Sequence, residues 1–114
     1  MTKFFISQAM NGLTVEEITT VRNKAIEILK TKYSDIEIIG SYVQDNRRNN
    51  KPVWYLGYSI QKLSEADIAV FVNTVKCPWF QVRGCNLEYT ICQQYGIKRI
   101  IVNTDRETIT PVDR

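Results

Sequence analysis

The sequence predicts an α/β domain in which a parallel sheet of four to five strands carries helices on both faces, as a three-layer sandwich. Short apolar runs, typical of strands buried on both faces, alternate with longer segments whose apolar residues recur at helical spacing. Each helical segment separates two strand-like runs, which is the pattern of strands joined by helical crossovers. The 114 residues suit one domain, assigned to residues 1–103. Residues 104–114 are either a loose tail or a short docking segment.

Four apolar runs have the length of strands, and the sequence places them at residues 3–7, 36–39 (or as far as 43), 68–72 and 99–102. The first helix begins at a capping box formed by Thr14 and Glu17, and its apolar face continues to Tyr33. The second runs from Pro52 to about Glu65. The third carries an apolar stripe of Leu87, Ile91 and Tyr95, and Gly96 ends it.

The ligand of such a sheet binds at the carboxyl ends of the strands. Three loops reach that edge, at residues 7–12, 43–52 and 73–84, together with the first turns of the helices that follow them. Glu88 lies early in the third helix and passes this test, and the helix dipole there favours its ionised form. Asp67 begins a strand, so it lies at the opposite edge and is interpreted as a polar strand entry. Glu88 is therefore a candidate nucleophile or base, although a solvated helix residue is the common alternative.

Composition excludes several kinds of chemistry. The chain has no histidine, so Ser-His and Cys-His pairs and histidine metal sites are excluded. Cys77, Cys85 and Cys92 form no C-x-x-C motif and indicate buried free thiols. The net charge of +3 suits an anionic small ligand but not a nucleic-acid polymer. No apolar run approaches the roughly 20 residues of a membrane span. We therefore expect a cytoplasmic protein with no membrane association, metal or cofactor.

Three stretches together resemble the nucleoside 2-deoxyribosyltransferase-like superfamily, and more narrowly a branch found in phages and bacteria. They are FISQAMNG at the first strand, SEADIAVFV at the third and RGCNLEYTICQQYGIKRIIV near the end. The likeness spans Phe4 to Val102. It implies a flavodoxin-like, Rossmann-like sheet and cleavage of an N-glycosidic bond, or deoxyribosyl transfer, in a 2′-deoxynucleoside or its 5′-monophosphate.

The resemblance also implies roles for particular residues. The family's glutamate, which matches Glu88, attacks the anomeric carbon; the base departs, and water or a second base resolves the covalent sugar. The family's helper aspartate falls at Ser59, and a serine is a poor general acid. A tyrosine used by some members falls at Phe5. The expected site has Glu88 as its catalytic residue, with substrate bound by Ser7, Gln8, Met10, Asn11, Gly12, Tyr58, Ser59, Arg83 and Gly84.

Two other readings stay open. The first is a catalytically inactive module that binds or sequesters a nucleoside or nucleotide, which the missing aspartate favours. The second is a small oligomeric scaffold without a ligand. Arg47, Arg48 and Lys51 either meet a phosphate or are simply solvated, and Arg83 is the better phosphate candidate. Trp54, Trp79 and Phe80 either stack a base or cover a subunit interface, and we expect a homo-oligomer.

Overall fold

The alternation of strands and helices is confirmed by a computed structural model of the chain, which describes residues 1–10, 12–39 and 52–112. Asn11, the extension of the second strand beyond Ile39, and the loop with Arg47, Arg48 and Lys51 lie outside the described residues. The elements, in order, are β1 (Thr2–Ser7), α1 (Val15–Lys32), β2 (Ile36–Ile39), α2 (Pro52–Leu63), β3 (Ile68–Asn73), a 3-10 turn (Trp79–Gln81), α3 (Arg83–Tyr95), β4 (Lys98–Asn103) and β5 (Thr108–Pro111).

The sheet has five strands in the order β2-β1-β3-β4-β5. β1 pairs in parallel with β2 and β3, and β3 pairs in parallel with β4. The expectation of a wholly parallel sheet is wrong for its last strand, because β5 runs antiparallel to β4. A parallel return would need a long crossover, whereas only a short turn separates these two strands. The Asn103 side chain accepts the backbone N–H groups of Asp105 and Arg106 there, both at 3.0 Å.

β5 also decides between the two alternatives for the end of the chain. Residues 108–111 are not a loose tail, since they dock on the edge of the sheet along β4.

Apolar residues fill both faces of the sheet. On one face, alternate residues of β1, β3 and β4 pack with α1 in a cluster of buried side chains: Phe4, Ile6, Ala25, Ile28, Leu29, Ile68, Val70, Val72, Ile100 and Val102. The other face carries a second cluster, with contributions from α2 and α3: Phe5, Leu63, Ala69, Phe71, Cys85 and Cys92. Because side chains alternate along a strand, consecutive residues of β1 point to different clusters.

Both predicted helix-end signals are confirmed. The Thr14 side chain accepts the Glu17 backbone N–H at 3.1 Å, and the Glu17 carboxylate accepts the Thr14 N–H at 2.9 Å, which completes the capping box. Gly96 ends α3 in the left-handed conformation, with φ of 72°. Only a residue without a Cβ adopts that conformation at little cost.

The apolar stripe on α3 is not the face that the helix buries. Leu87 is 42% exposed and Tyr95 is 80% exposed. The buried residues are instead Cys85, Glu88 and Cys92, spaced three and four apart. Glu88 follows Leu87 by one residue, a rotation of about 100° around the helix. The helix therefore places a carboxyl group, rather than leucine, against the sheet.

The strand order reverses at β1, since β2 lies on one side of it and β3 on the other. Such a switch opens a crevice at the carboxyl ends of the strands, here at Ser7 and Asn73. Asp67 lies at the opposite edge, as expected, where its carboxylate accepts the Lys3 backbone N–H at 2.8 Å. Its interpretation as a polar strand entry is confirmed.

Candidate functional site

A buried carboxyl group lies where three elements converge at the carboxyl end of β1. Glu88, the sixth residue of α3, is only 6% exposed. Ser7, the last residue of β1, donates its hydroxyl to Oε1 of Glu88 at 2.6 Å. The Ser59 side chain of α2 lies near the same carboxyl group and acts to lower its pKa. The structure thus brings together Glu88, Ser7 and Ser59, which the sequence placed in three separate segments.

Burial controls the protonation of Glu88. Desolvation raises the pKa of Glu88 from an ordinary 4.5 to about 7, and the side chains of Ser7 and Ser59 act in the opposite direction. Desolvation outweighs the helix-dipole effect expected to favour the ionised form, and that effect is weak at the sixth residue because it fades beyond the first turn of a helix. A carboxyl group with such a pKa is present in both protonation states at neutral pH. It has the chemistry of a nucleophile or base when ionised and of an acid when protonated.

Cys85 lies one turn before Glu88 on the same buried face and shares Ser7 as a hydrogen-bonding neighbour. Burial, together with the nearby Glu88 charge, raises the pKa of Cys85 to about 11. Burial likewise raises the pKa of Cys92 to about 11. Since the thiolate is the reactive form of cysteine, these neutral thiols are packing groups rather than nucleophiles. The prediction of buried free thiols is confirmed for both, whereas Cys77 is half-buried.

A cavity of about 420 Å³ opens on the other face of the sheet, between α1 and the loop after β3. Leu13, Val21 and Val72 supply apolar walls, and Gln8 supplies a polar group. Glu88 does not line this cavity. Ser7 and Gln8 are consecutive in the chain, yet Ser7 hydrogen-bonds the Glu88 carboxyl group while Gln8 lines the cavity.

Gln8 is 7% exposed, and one of the two polar atoms of its side-chain amide has a hydrogen-bond partner. Nε2 donates to the Ile18 carbonyl oxygen at 3.1 Å. Oε1 is buried and has no hydrogen-bond partner among the residues that the structure describes. A buried carbonyl oxygen without a donor is unfavourable, so this atom is suited to accept a hydrogen bond from a ligand N–H or O–H group.

The loop after β1 contains a hydrogen-bonded turn. The Met10 carbonyl oxygen accepts the Leu13 backbone N–H at 3.1 Å, and Met10 itself is half-buried. Gly12 has φ of 79°, a conformation that favours glycine, and a side chain there would meet nothing within 4 Å. The turn therefore leaves open space beside Gly12.

The other predicted site residues lie on α2 and at the start of α3. The Tyr58 ring is stacked on the Trp54 ring with 6.0 Å between the ring centroids, and Nζ of Lys62 lies 5.6 Å from the centroid of the Tyr58 ring. These are surface contacts along one side of α2, separate from the contacts of Glu88. Arg83 is exposed as the first residue of α3, and Gly84 follows it inside the helix rather than in the preceding loop.

Sequence reasoning missed an aromatic cluster beside the carboxyl group. The Trp79 ring is stacked on the Tyr89 ring with 4.5 Å between the ring centroids, and both rings pack against Phe71. Trp79 therefore packs against the sheet face that carries α3, while its neighbour Phe80 is 55% exposed. The spacing of Cys85, Glu88 or Tyr89, and Cys92 was the available signal for this face of α3.

Within residues 1–10, 12–39 and 52–112, no helix combines the length and hydropathy that a membrane span requires. The same residues contain no group of three or more Cys, Asp or Glu side chains arranged to hold a metal ion.

Comparisons with family models and with curated proteins found no match, so the functional assignment rests on the geometry of the site. The chain matches none of the protein-family models with which it was compared. No curated protein is similar enough to count as a relative.

Proposed function

We propose that the protein cleaves the N-glycosidic bond of a 2′-deoxynucleoside or its 5′-monophosphate, or transfers the deoxyribosyl group, with Glu88 as nucleophile. The observation that carries this proposal is the buried Glu88 carboxyl group at the carboxyl end of β1, hydrogen-bonded by Ser7 at 2.6 Å. A carboxyl group with a strongly raised pKa at a strand-end crevice is a common mark of a functional site. The resemblance of three sequence stretches to deoxyribosyltransferases supports the same chemistry.

The chemistry follows from the ionised form of Glu88. Its carboxylate attacks the anomeric carbon, and the C–N bond breaks with its electron pair leaving on the base, which takes up a proton from solvent. The glycosyl ester is then opened by water or by the nitrogen of a second base. Negative charge near the anomeric carbon also stabilises the oxocarbenium-like transition state. Ser7 orients the carboxylate, because its hydroxyl donates to one of the two carboxylate oxygens.

The finer fold assignment belongs to the same proposal. The strand order β2-β1-β3-β4-β5 is that of flavodoxin-like sheets, in which ligands bind at the β1/β3 switch point. We place the protein among three-layer, flavodoxin-like domains with an antiparallel edge strand.

Except for Gln8, the remaining predicted residues hold the substrate in this proposal. Gln8 belongs to the predicted substrate site, but it lines the cavity on the other face of the sheet from Glu88, so its buried, unpaired Oε1 supports ligand binding there rather than catalysis at Glu88. Met10, Asn11 and Gly12 form the loop that covers the substrate. Tyr58 and Ser59 contact it from α2, Arg83 meets any 5′-phosphate, and Gly84 allows close approach to the start of α3.

One set of observations favours a second candidate function, a binding or sequestering module without catalysis. The 420 Å³ cavity is lined by Gln8 and apolar side chains but not by Glu88. Glu88 is also almost fully covered, and the side chain near it on α2 is a serine rather than a second carboxyl group. A nucleoside held in the cavity would lie across the sheet from the carboxyl group and would not react.

The two functions are separated by measuring base release. The protein is incubated with 2′-deoxynucleosides and their 5′-monophosphates, and free base is measured by chromatography. Glu88→Gln removes the nucleophile at nearly unchanged shape, and Glu37→Gln on the exposed side of β2 is the matched control. The enzyme proposal expects base from wild type and from Glu37→Gln, and none from Glu88→Gln.

Absence of free base with every substrate would refute the catalytic proposal. The binding module then predicts that one of the same compounds raises the melting temperature without being consumed. It also predicts that Gln8→Leu, which removes the unpaired amide, weakens that rise while Glu88→Gln does not.

We further propose that the protein is cytoplasmic and works as a homo-oligomer. Val53 and Trp54 at the start of α2 are 68% and 44% exposed, and Phe80 before α3 is 55% exposed. Large apolar side chains are unfavourable in water and are enriched at subunit contacts. Light scattering coupled to gel filtration tests this, and a monomeric mass at all concentrations would contradict it.

A further inference from the structure

Arg99 carries a buried cation whose hydrogen-bonding capacity is largely unused. This second residue of β4 is 5% exposed. Its Nε and Nη1 atoms have no hydrogen-bond partner anywhere in the part of the chain that the structure describes. Burying a charged group is unfavourable unless the charge is paired and its donors are satisfied. These N–H donors are therefore available to an anionic acceptor.

The neighbours of Arg99 stabilise its positive charge but do not satisfy its Nε and Nη1 donors. The Tyr89 ring lies 4.7 Å from the guanidinium carbon, a favourable cation–π distance. A guanidinium group carries five N–H donors, and those on Nε and Nη1 find no acceptor among the described residues. Cys92 is also close, but burial raises the pKa of its thiol to about 11, so it provides no negative charge at neutral pH.

Arg99 lines a cleft of about 400 Å³ between the end of α3 and the start of β4. Lys98 lines the same cleft, and no acidic residue among the described residues does. Val112 closes it from the end of β5, where its backbone N–H donates to the Arg99 carbonyl oxygen at 3.1 Å. The cleft lies at the amino end of β4, whereas the proposed nucleoside site lies at the carboxyl ends of β1 and β3. The two sites are therefore at opposite edges of the sheet.

We propose that this cleft is a binding site for a small oxyanion, a phosphate or carboxylate group, held by the unpaired N–H donors of Arg99 and by the charge of Lys98. A guanidinium group matches the geometry of both oxyanions and binds them through charge-assisted hydrogen bonds. The site is independent of the chemistry proposed for Glu88.

The test follows the Nε–H resonance of Arg99 by NMR, because it reports on the binding atom itself. Sodium phosphate and sodium acetate are titrated separately at constant ionic strength, which is maintained with sodium chloride. The expected result is a saturable shift of this resonance with phosphate, acetate or both, and the anion that saturates at lower concentration identifies the preferred group. A resonance that moves with neither anion overturns the proposal, and this outcome needs no variant to fold.

Variants then establish which side chains are responsible. Arg99→Met removes the charge at similar volume. The apparent affinity for the anion, measured from the anion-dependent rise in melting temperature, should be weakened roughly tenfold or more in this variant. Lys98→Ala should weaken it less. Arg106→Met, which removes an exposed arginine from the turn before β5, is the control and should leave it unchanged. Equal loss in Arg106→Met and Arg99→Met would overturn the proposal, since it would show general charge screening.

The chain itself offers a competing carboxylate at Asp113, the residue after Val112. With a free anion as ligand, Asp113→Asn should leave the phosphate titration of Arg99 unchanged. A phosphate affinity raised about tenfold by Asp113→Asn would show that the carboxylate of Asp113 is the occupant, and the free-anion site would be refuted.

Discussion

Replacing Glu88 with glutamine is expected to stabilise the folded protein increasingly as the pH rises from 5 to 8. In wild type, the folded state must ionise a buried carboxyl group above its raised pKa of about 7, whereas the unfolded state ionises it near 4.5. Glutamine has a similar shape and can still accept a hydrogen bond from Ser7, but it never ionises. The pH-dependent difference in unfolding free energy between variant and wild type therefore isolates the ionisation of Glu88.

The sign and size follow from proton linkage. Between the two pKa values, the folded state binds a proton that the unfolded state has lost, so wild-type stability falls as the pH rises. The favourable contribution of the protonated carboxyl is complete below about pH 4.5 and is lost as the pH rises through about 7. The difference between the two pKa values corresponds to a total of about 3 kcal/mol. Most of this loss falls between pH 5 and pH 7.

The assay is urea denaturation followed by tryptophan fluorescence at pH 5, 6, 7 and 8. The free energy of unfolding of Glu88→Gln minus that of wild type should grow by about 2.5 kcal/mol over this range. Glu37→Gln serves as the control, because Glu37 is exposed on β2 and its variant should show little pH-dependent difference. A Glu88→Gln difference that stays constant would mean that Glu88 ionises as a solvated glutamate does, and the buried-site reasoning would be refuted.

Three further predictions concern the same site and the helix ends. Ser7→Ala removes a donor that favours the ionised form, so the pKa of Glu88 should rise further and the acid limb of any pH–rate profile should move to higher pH; an unmoved limb would contradict this role of Ser7. Thr14→Ala breaks the capping box with Glu17 and should lower the free energy of unfolding by about 1 kcal/mol in urea denaturation, and an unchanged midpoint would count against the cap. Gly96→Ala should cost about 1 kcal/mol by the same measurement, since alanine disfavours the φ of 72° at the end of α3, and a more stable variant would show that the backbone there relaxes.

The alternation of elements was predictable because each signal is local. A capping box, a glycine after a helix and a continuous apolar run depend on residues a few positions apart. Thr14, Gly96 and the run at residues 68–72 were therefore assigned correctly. The antiparallel β5 was missed, because its four residues are mostly polar and exposed and only their pairing with β4 identifies them as a strand.

The candidate site was predictable only in part. The rule that ligands bind at the carboxyl ends of parallel strands selected Ser7 and Glu88 from their positions along the chain. It could not show that Ser7 and Gln8 point to opposite faces of the sheet, or that α3 buries Glu88 rather than Leu87.

The sequence by itself determined the three α-helices, four of the five described strands, their order and the edge of the sheet where Glu88 lies, because hydrophobic periodicity and helix capping are local properties of the chain. Only the tertiary structure decided the environment of the charged groups. The raised pKa of Glu88 and the unpaired guanidinium of Arg99 both result from desolvation by residues distant in sequence. Desolvation depends on which elements pack over a group, and that packing exists only in the folded chain.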